Sequence, residues 1–543
     1  TNLFFQLVRT KDEKRLENVR SEFRVILESA KKEYELTGNV ENLERVFVLI
    51  GQTRDIVKGK GEYLLTYVML DELAKVYPEL TERMVQRFVD YDGEHPLGSW
   101  KDVKYFASFV NSETKRTRDY SKGMKFRLAS LFTNQLKNDV ENMRNKKSVS
   151  LAAKWLPSEK SKESWLFKEV AEQYSGMIPL TIQGRRQMYK NLRSIKSELN
   201  KYLDTTQVKM CGKKWSEIDF NNVTSVTMTK QRLSFMNVKS NDTPRYPDDD
   251  DRNKCAEQFA QHVDEVKKNV TGKKVNGKRT SIYDLVKGAI YARSQLERDV
   301  INEQWKAYRE NNPTQGDLGF MIPMADTSAS MEVDNCIPLY HAIGLGIRCS
   351  ELASGEFKDK VLTFSSKPTW VDLSQFGDDF VGKVERLRHA EWGMNTDFYK
   401  AMELILDAAV KSKMTPEQVS KLNLCVFSDM QIDSSFGYSQ NKSAMFDNIK
   451  QLCKVKGQTC GYEAGFNAPH VVFWNLRQTD GFPVQTRDTN TTMVSGYSAT
   501  LLNHFLEKGP EEMMKYTPES MLIEILDDNR YEILRADVRE TLG

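Results

Sequence analysis

Several things are scarce in this chain, and each scarcity narrows what it can be. Only seven cysteines occur in 543 residues, with no C-x-x-C pair and no regular spacing. That argues against a zinc knuckle or a disulfide scaffold and favours a reducing, cytoplasmic setting. In such a compartment N-x-S/T tripeptides such as Asn222-Val223-Thr224 carry little meaning. No apolar run approaches the roughly 18 residues that span a bilayer, so no membrane partner is expected. The N-terminal TNLFFQLVRTKDEKR meets charge too soon to be a secretory signal. Histidine is rare, with six in all, and no Ser/His/Asp or Cys/His nucleophile set is recognisable.

The rest of the composition is that of a soluble globular protein, 39% hydrophobic and 29% charged. The length implies about two to four domains. Net charge is only +3, yet it is unevenly placed. Residues 1–317 carry 57 Lys+Arg against 45 Asp+Glu, and residues 318–543 carry 22 against 31. The basic part is a candidate polyanion binder; the plain alternative is a solvated surface.

Residues 1–240 read as helical. Leu16, Val19, Phe23, Ile26 and Leu27 repeat at three-and-four spacing, and glycine and proline mark the breaks. Successive helical hairpins would suit a repeat-based solenoid or ring. Residues 241–317 read as a polar, acidic loop (241–253) followed by connecting helices. From 318 to 543 the texture changes. Apolar runs at 318–326, 360–366, 422–429, 470–476 and 491–496 alternate with helix-like stretches, which indicates a doubly wound, mostly parallel sheet. Ligands sit at the carboxyl ends of such strands, where Asp326 and Asp429 fall.

Asp326-Thr327-Ser328-Ala329-Ser330 is D-x-S-x-S at a strand end. One carboxylate and two hydroxyls can point at a common centre there. Hard oxygen ligands suit Mg²⁺, with Ca²⁺ or Mn²⁺ as alternatives, and serve zinc poorly. Thr396 opens a helix from its loop, and Asp429 adds a second acid. The plain alternative makes the serines and Asp429 helix caps. Together these segments resemble the metal-ion-dependent adhesion site of von Willebrand factor A domains. The resemblance implies one ion held by Asp326, Ser328, Ser330, Thr396 and Asp429, with a partner's acidic group completing its shell. His389 precedes the Thr396 loop and reads as a surface helix-end residue.

The similarity is wider than these loops. WGMNTDFYKAMELIL (392–406), VFSDMQID (426–433), GYEAGFNAPHVVFWNLRQTDGFPV (461–484), VSGYSATLLNHFL (494–506), VSLAAKWLPSEKS (148–160) and KKWSEIDFNNVTSVTM (213–228) resemble an uncharacterised family. That family is known from plants, fungi, bacteria and large DNA viruses. Its layout is similar to the Ro autoantigen and other TROVE-module proteins, which pair a helical ring with an A-like domain. HPLGSWKDV (95–103) is similar to a short stretch of that module. The resemblance implies a ribonucleoprotein, with RNA on the helical part. The viral branch also admits a virion or virus-factory role.

The cations for RNA concentrate in residues 101–235, with 27 Lys+Arg against 13 Asp+Glu. Candidates are Lys122, Lys125, Arg127, Arg144, Lys146, Lys147, Arg185, Arg186, Lys213 and Lys214. Phe126, Trp155, Trp165, Tyr189 and Trp215 lie among them and could stack on bases, although Trp155 and Trp215 are expected to pack between helices. Two motifs are set aside. Gly272–Lys278 resembles the start of a phosphate-binding loop, but Arg279 stands where Ser or Thr is required. Gly344-Leu345-Gly346 has no strand leading into it. Cys453 and Cys460 read as thiols rather than ligands. The expectation is thus a non-enzymatic RNA- and protein-binding chain. Its rivals are a structural assembly component and a metal-dependent phosphoesterase.

Overall fold

A computed structural model describes residues 1–113, 118–311, 320–364, 368–390, 398–430, 442–477, 490–498 and 517–543. Contacts divide the chain into two compact units. One holds Lys11–Lys214 with Leu526–Gly543, and the other holds Thr1–Thr10 with Trp215–Ile525.

Among the described residues of the first unit, the regular elements are all helices, joined by short loops. Its opening helix, Glu13–Thr37, shows how the sequence writes these elements. The Asp12 carboxylate accepts the Arg15 amide at the N-terminus, and Gly38 closes the other end at φ 73°. Val19, Phe23, Leu27 and Ala30 form its buried stripe. The C-terminal residues return to this unit. Arg530 is bidentate on Asp55 at 2.8 and 2.9 Å. Asp537 accepts from Arg83 and Arg87, and the Tyr34 hydroxyl donates to the Leu542 carbonyl at 2.7 Å.

The second unit is built on a six-stranded sheet. Its strands are β1 (Met321–Asp326), β2 (Lys360–Phe364), β3 (Trp370–Asp372), β4 (Asn423–Ser428), β5 (His470–Asn475) and β6 (Thr491–Ser495). They lie in the order β3-β2-β1-β4-β5-β6, and every pairing is parallel except that of β3. The mostly parallel sheet is as expected, and its apolar runs are the strands. The short edge strand β3 was not anticipated. β1, β4 and β5 are buried along their whole length, as strands covered on both faces must be.

Phe398, Ala401, Met402, Ile405, Leu406 and Ala409 share one stripe of the helix Phe398–Lys411 and pack with Ile322, Met324, Leu424, Val426 and Phe473. Phe5 is buried in the same core. It arrives with the N-terminal segment, whose Phe4 and Phe5 carbonyls accept from Ser495 Oγ (2.7 Å) and Asn475 Nδ2 (3.1 Å). Within the helix Val333–Leu352, a Cβ on Gly344 would stand 2.2 Å from Ile282 Cγ2. Close helix packing therefore accounts for this glycine.

The acidic stretch read as a loop over 241–253 behaves differently at its end. The helix Asp250–Lys267 begins inside it, capped by Asp249 and carrying Asp250 and Asp251 in its first turn. Acids there are favoured by the helix dipole. Asp251 also accepts the Trp215 and Ser216 amides at 2.7 and 3.0 Å. Arg252 lies 3.6 Å over the Trp215 ring, so Trp215 is a packed, cation-covered residue. Trp155 is half-buried, with Lys101 over its ring.

Candidate metal centre

Strand order fixes where a ligand site can be. The chain moves outward from β1 through β2 to β3 on one side, and from β4 through β5 to β6 on the other. The reversal between β1 and β4 leaves a crevice at their carboxyl ends, the place where open α/β sheets bind ligands. Ala325 is in register with Phe427. Asp326 and Ser428 are the next residues of the two strands, and Asp429 follows.

Asp326 and Asp429 are both fully buried. The Ser328 amide donates to Asp326 Oδ1 at 2.9 Å, and the Ser428 hydroxyl donates to Oδ2 at 2.5 Å. Ser328 Oγ and Ser330 Oγ lie 2.9 Å apart. One carboxylate and two hydroxyls are thus gathered in a single turn, which continues into the 3-10 turn Ala329–Glu332. The Thr327 hydroxyl is buried without a hydrogen-bond partner.

The electrostatics suit a cation. Burial pushes the Asp326 carboxyl up to about 6; hydrogen bonds from Ser428 and Ser328 oppose this, and the Asp429 charge adds to it. A positive ion would favour the ionised form of such a group. Arg477 already supplies one cation, with Nη1 at 3.4 Å from Asp429 Oδ2. The Met430 amide donates to Ser428 Oγ at 3.1 Å, and Met430 adopts φ 61°, so the chain turns sharply past Asp429. Among the described residues no group of three His, Cys, Asp or Glu could hold a metal. The set here is of another kind, with two carboxylates and hydroxyls. That composition fits Mg²⁺, which takes few carboxylates and keeps waters.

Of the five residues expected at this site, Asp326, Ser328, Ser330 and Asp429 fall at the crevice. Thr396 lies outside the described residues. Ser428 and Arg477 were missed. Ser428 could have been noticed as the residue before the second acid; Arg477, just past β5, had no local signal. His389 is exposed and caps the helix Phe380–Arg388.

The expected RNA-binding cations do not form one group. Arg144, Lys146, Lys147, Arg185, Arg186, Lys213 and Lys214 are exposed. Lys125 lies over the Trp165 ring, and Arg127 pairs with Glu82. The Lys122 side chain is outside the described residues. Tyr202, near the end of the helix Ile182–Leu203, donates to the Lys147 carbonyl at 3.0 Å. Arg185 and Arg186 sit at the start of that helix, some 17 residues or about 25 Å away along its axis. The two clusters therefore mark opposite ends.

These features define a chain with a helical unit and a doubly wound α/β unit whose switch point carries paired acids. Residues 321–533 match the model of a Domain of unknown function (DUF7788), beginning with the first residue of β1. Residues 110–318 match a second Domain of unknown function (DUF2828). The chain is also similar to Uncharacterized protein L728 of Acanthamoeba polyphaga mimivirus, 28% identical over 495 residues, covering 87% of this chain and 77% of the relative. The similarity thus extends to a large DNA virus, as the motifs led one to expect. These descriptions carry no activity to this chain.

Proposed function

We propose that this chain is a non-enzymatic binding protein whose α/β unit is von Willebrand factor A-like and captures a protein partner through one bound divalent ion. The observation that carries the reading is the placement of buried Asp326 and Asp429 at the carboxyl ends of adjacent parallel strands, where the strand order reverses. Asp326, Ser328, Ser330 and Asp429 would hold the ion, with Thr396 added by the resemblance. Mg²⁺ would supply an electrophilic position for a partner's carboxylate. The protein's part is to keep Asp326 oriented, through Ser428 and the Ser328 amide, and to shield the site from bulk water. Affinity capture from cell extract in Mg²⁺ and in EDTA tests this. A partner retained only in Mg²⁺, and lost with Asp326→Ala, supports it. Equal capture under all conditions counts against it.

The helical unit is proposed to bind RNA, in a Ro-like arrangement. The exposure of Arg144, Lys146, Lys147, Arg185, Arg186, Lys213 and Lys214 favours this. The ratio of absorbance at 260 and 280 nm of the native protein, before and after nuclease, is the test. RNA that salt releases supports binding. A nucleic-acid-free protein at low salt would leave metal-dependent assembly as the leading role.

A further inference from the structure

A cavity of about 580 Å³ opens in the helical unit, and none of the cations singled out in the sequence lines it. It lies among the helices Ala152–Trp155, Ser164–Ser175, Ile182–Leu203 and Thr206–Cys211. Four cations line it, Lys154, Arg193, Lys196 and Lys201, against one acid, Glu159. Glu159 is paired with Arg193.

The two inner lysines are unusual. Lys154 Nζ donates to Gln207 Oε1 at 3.0 Å, and Lys196 Nζ donates to the Leu156 and Pro157 carbonyls at 2.6 and 3.3 Å. These neutral acceptors satisfy N–H groups but leave the charges uncompensated. Burial lowers the basicity of both ammonium groups, and Lys104 repels that of Lys196. Phe167 and Val208 contribute apolar wall beside them. The volume is in the range of small-molecule sites, roughly 300–1,000 Å³. Apolar wall with two uncompensated ammonium groups matches an organic anion that joins a flat or apolar body to a phosphate.

We propose that this cavity binds the phosphate monoester of a nucleotide-sized ligand, with Lys154 and Lys196 as its charge partners. The inference goes beyond the metal-centre and RNA readings and does not depend on either. A free nucleotide and the phosphorylated 5′ end of an RNA strand offer the same group.

Cys211 lines the cavity and is exposed; Cys460 is the other exposed cysteine. In full-length protein carrying Cys460→Ser, the alkylation rate of Cys211 by a maleimide reports occupancy. The probes are adenosine 5′-monophosphate, adenosine, and a short RNA with a 5′-phosphate or a 5′-hydroxyl. Both phosphorylated probes, or the mononucleotide alone, should slow alkylation in a saturable way, and the unphosphorylated ones should not. Protection by the phosphorylated RNA alone assigns the site to an RNA end. Lys154→Met and Lys196→Met should each weaken protection about tenfold. Where either variant fails to fold, Lys154→Arg, which keeps the charge, should retain protection. Adenosine protecting as well as its monophosphate would overturn the proposal. So would no protection by any probe at millimolar concentration, or unchanged protection in folded methionine variants.

Discussion

The Ser428 hydroxyl donates to Asp326 Oδ2 at 2.5 Å, joining the last residue of β4 to the last residue of β1. It thereby closes the crevice floor between the two halves of the sheet. The bond is buried and made to a carboxylate, the kind worth most. Ser428→Ala leaves that oxygen without its donor and should cost about 2 kcal/mol of stability. It should also weaken metal binding, because Asp326 loses its orienting partner. Urea unfolding and a metal titration on the same variant check both effects.

Arg477 competes for the charge of Asp429 at 3.4 Å. Arg477→Met removes a positive charge beside the ion's position. Divalent-cation affinity should rise by about tenfold, since a neighbouring like charge costs on the order of 1 kcal/mol or more at short range. A Mn²⁺ titration reads the change. Weaker binding in this variant would mean that Arg477 orients Asp429 instead of opposing the ion.

Two buried histidines set a pH limit. Burial pushes His341 down to about 3 and His470 down to about 4, from the usual 6.5. His341 is stacked on Tyr497, with centroids 3.8 Å apart. In the unfolded chain both protonate near 6.5. Their contribution is therefore fully present above that pH and is lost as pH falls through their folded values. Each should steepen the acid loss of stability by at most about 1.4 kcal/mol per pH unit. Urea midpoints measured between pH 7 and pH 4 should fall, and less so in His470→Gln.

Asp55 is fully buried and receives both the Arg530 guanidinium and the Tyr531 hydroxyl, the latter at 3.1 Å. Breaking such a pair leaves an uncompensated buried charge. Arg530→Leu should cost about 3–5 kcal/mol in the helical unit. Differential scanning calorimetry should show this loss in that unit's transition.

How much of this was legible in the sequence depends on the range of the forces. β1, β2, β4, β5 and β6 were legible because each is a short apolar run bounded by polar residues. Asp326 and Asp429 were legible because acids at strand ends stand out against buried neighbours. The helix at Asp250 was obscured because four consecutive acids look like a solvated loop until their capping partners are seen. The grouping of Phe5 with the core of the sheet was not legible. Its partners, among them Ile322 and Phe473, lie hundreds of residues away. The same holds for the cavity at Lys154 and Lys196, whose lysines look like ordinary solvated residues. The Phe5 contact has a testable consequence: Phe5→Ala should destabilise the α/β unit by about 3–5 kcal/mol, read by chemical denaturation.

The most direct test of the metal centre is Mn²⁺ binding to the full-length protein, followed by electron paramagnetic resonance. The account predicts one ion per chain, displaced by Mg²⁺, and no ion at that site in folded Asp326→Ala or Asp429→Ala protein. Binding that is absent in the unaltered chain, or that survives unchanged in both variants, would contradict it.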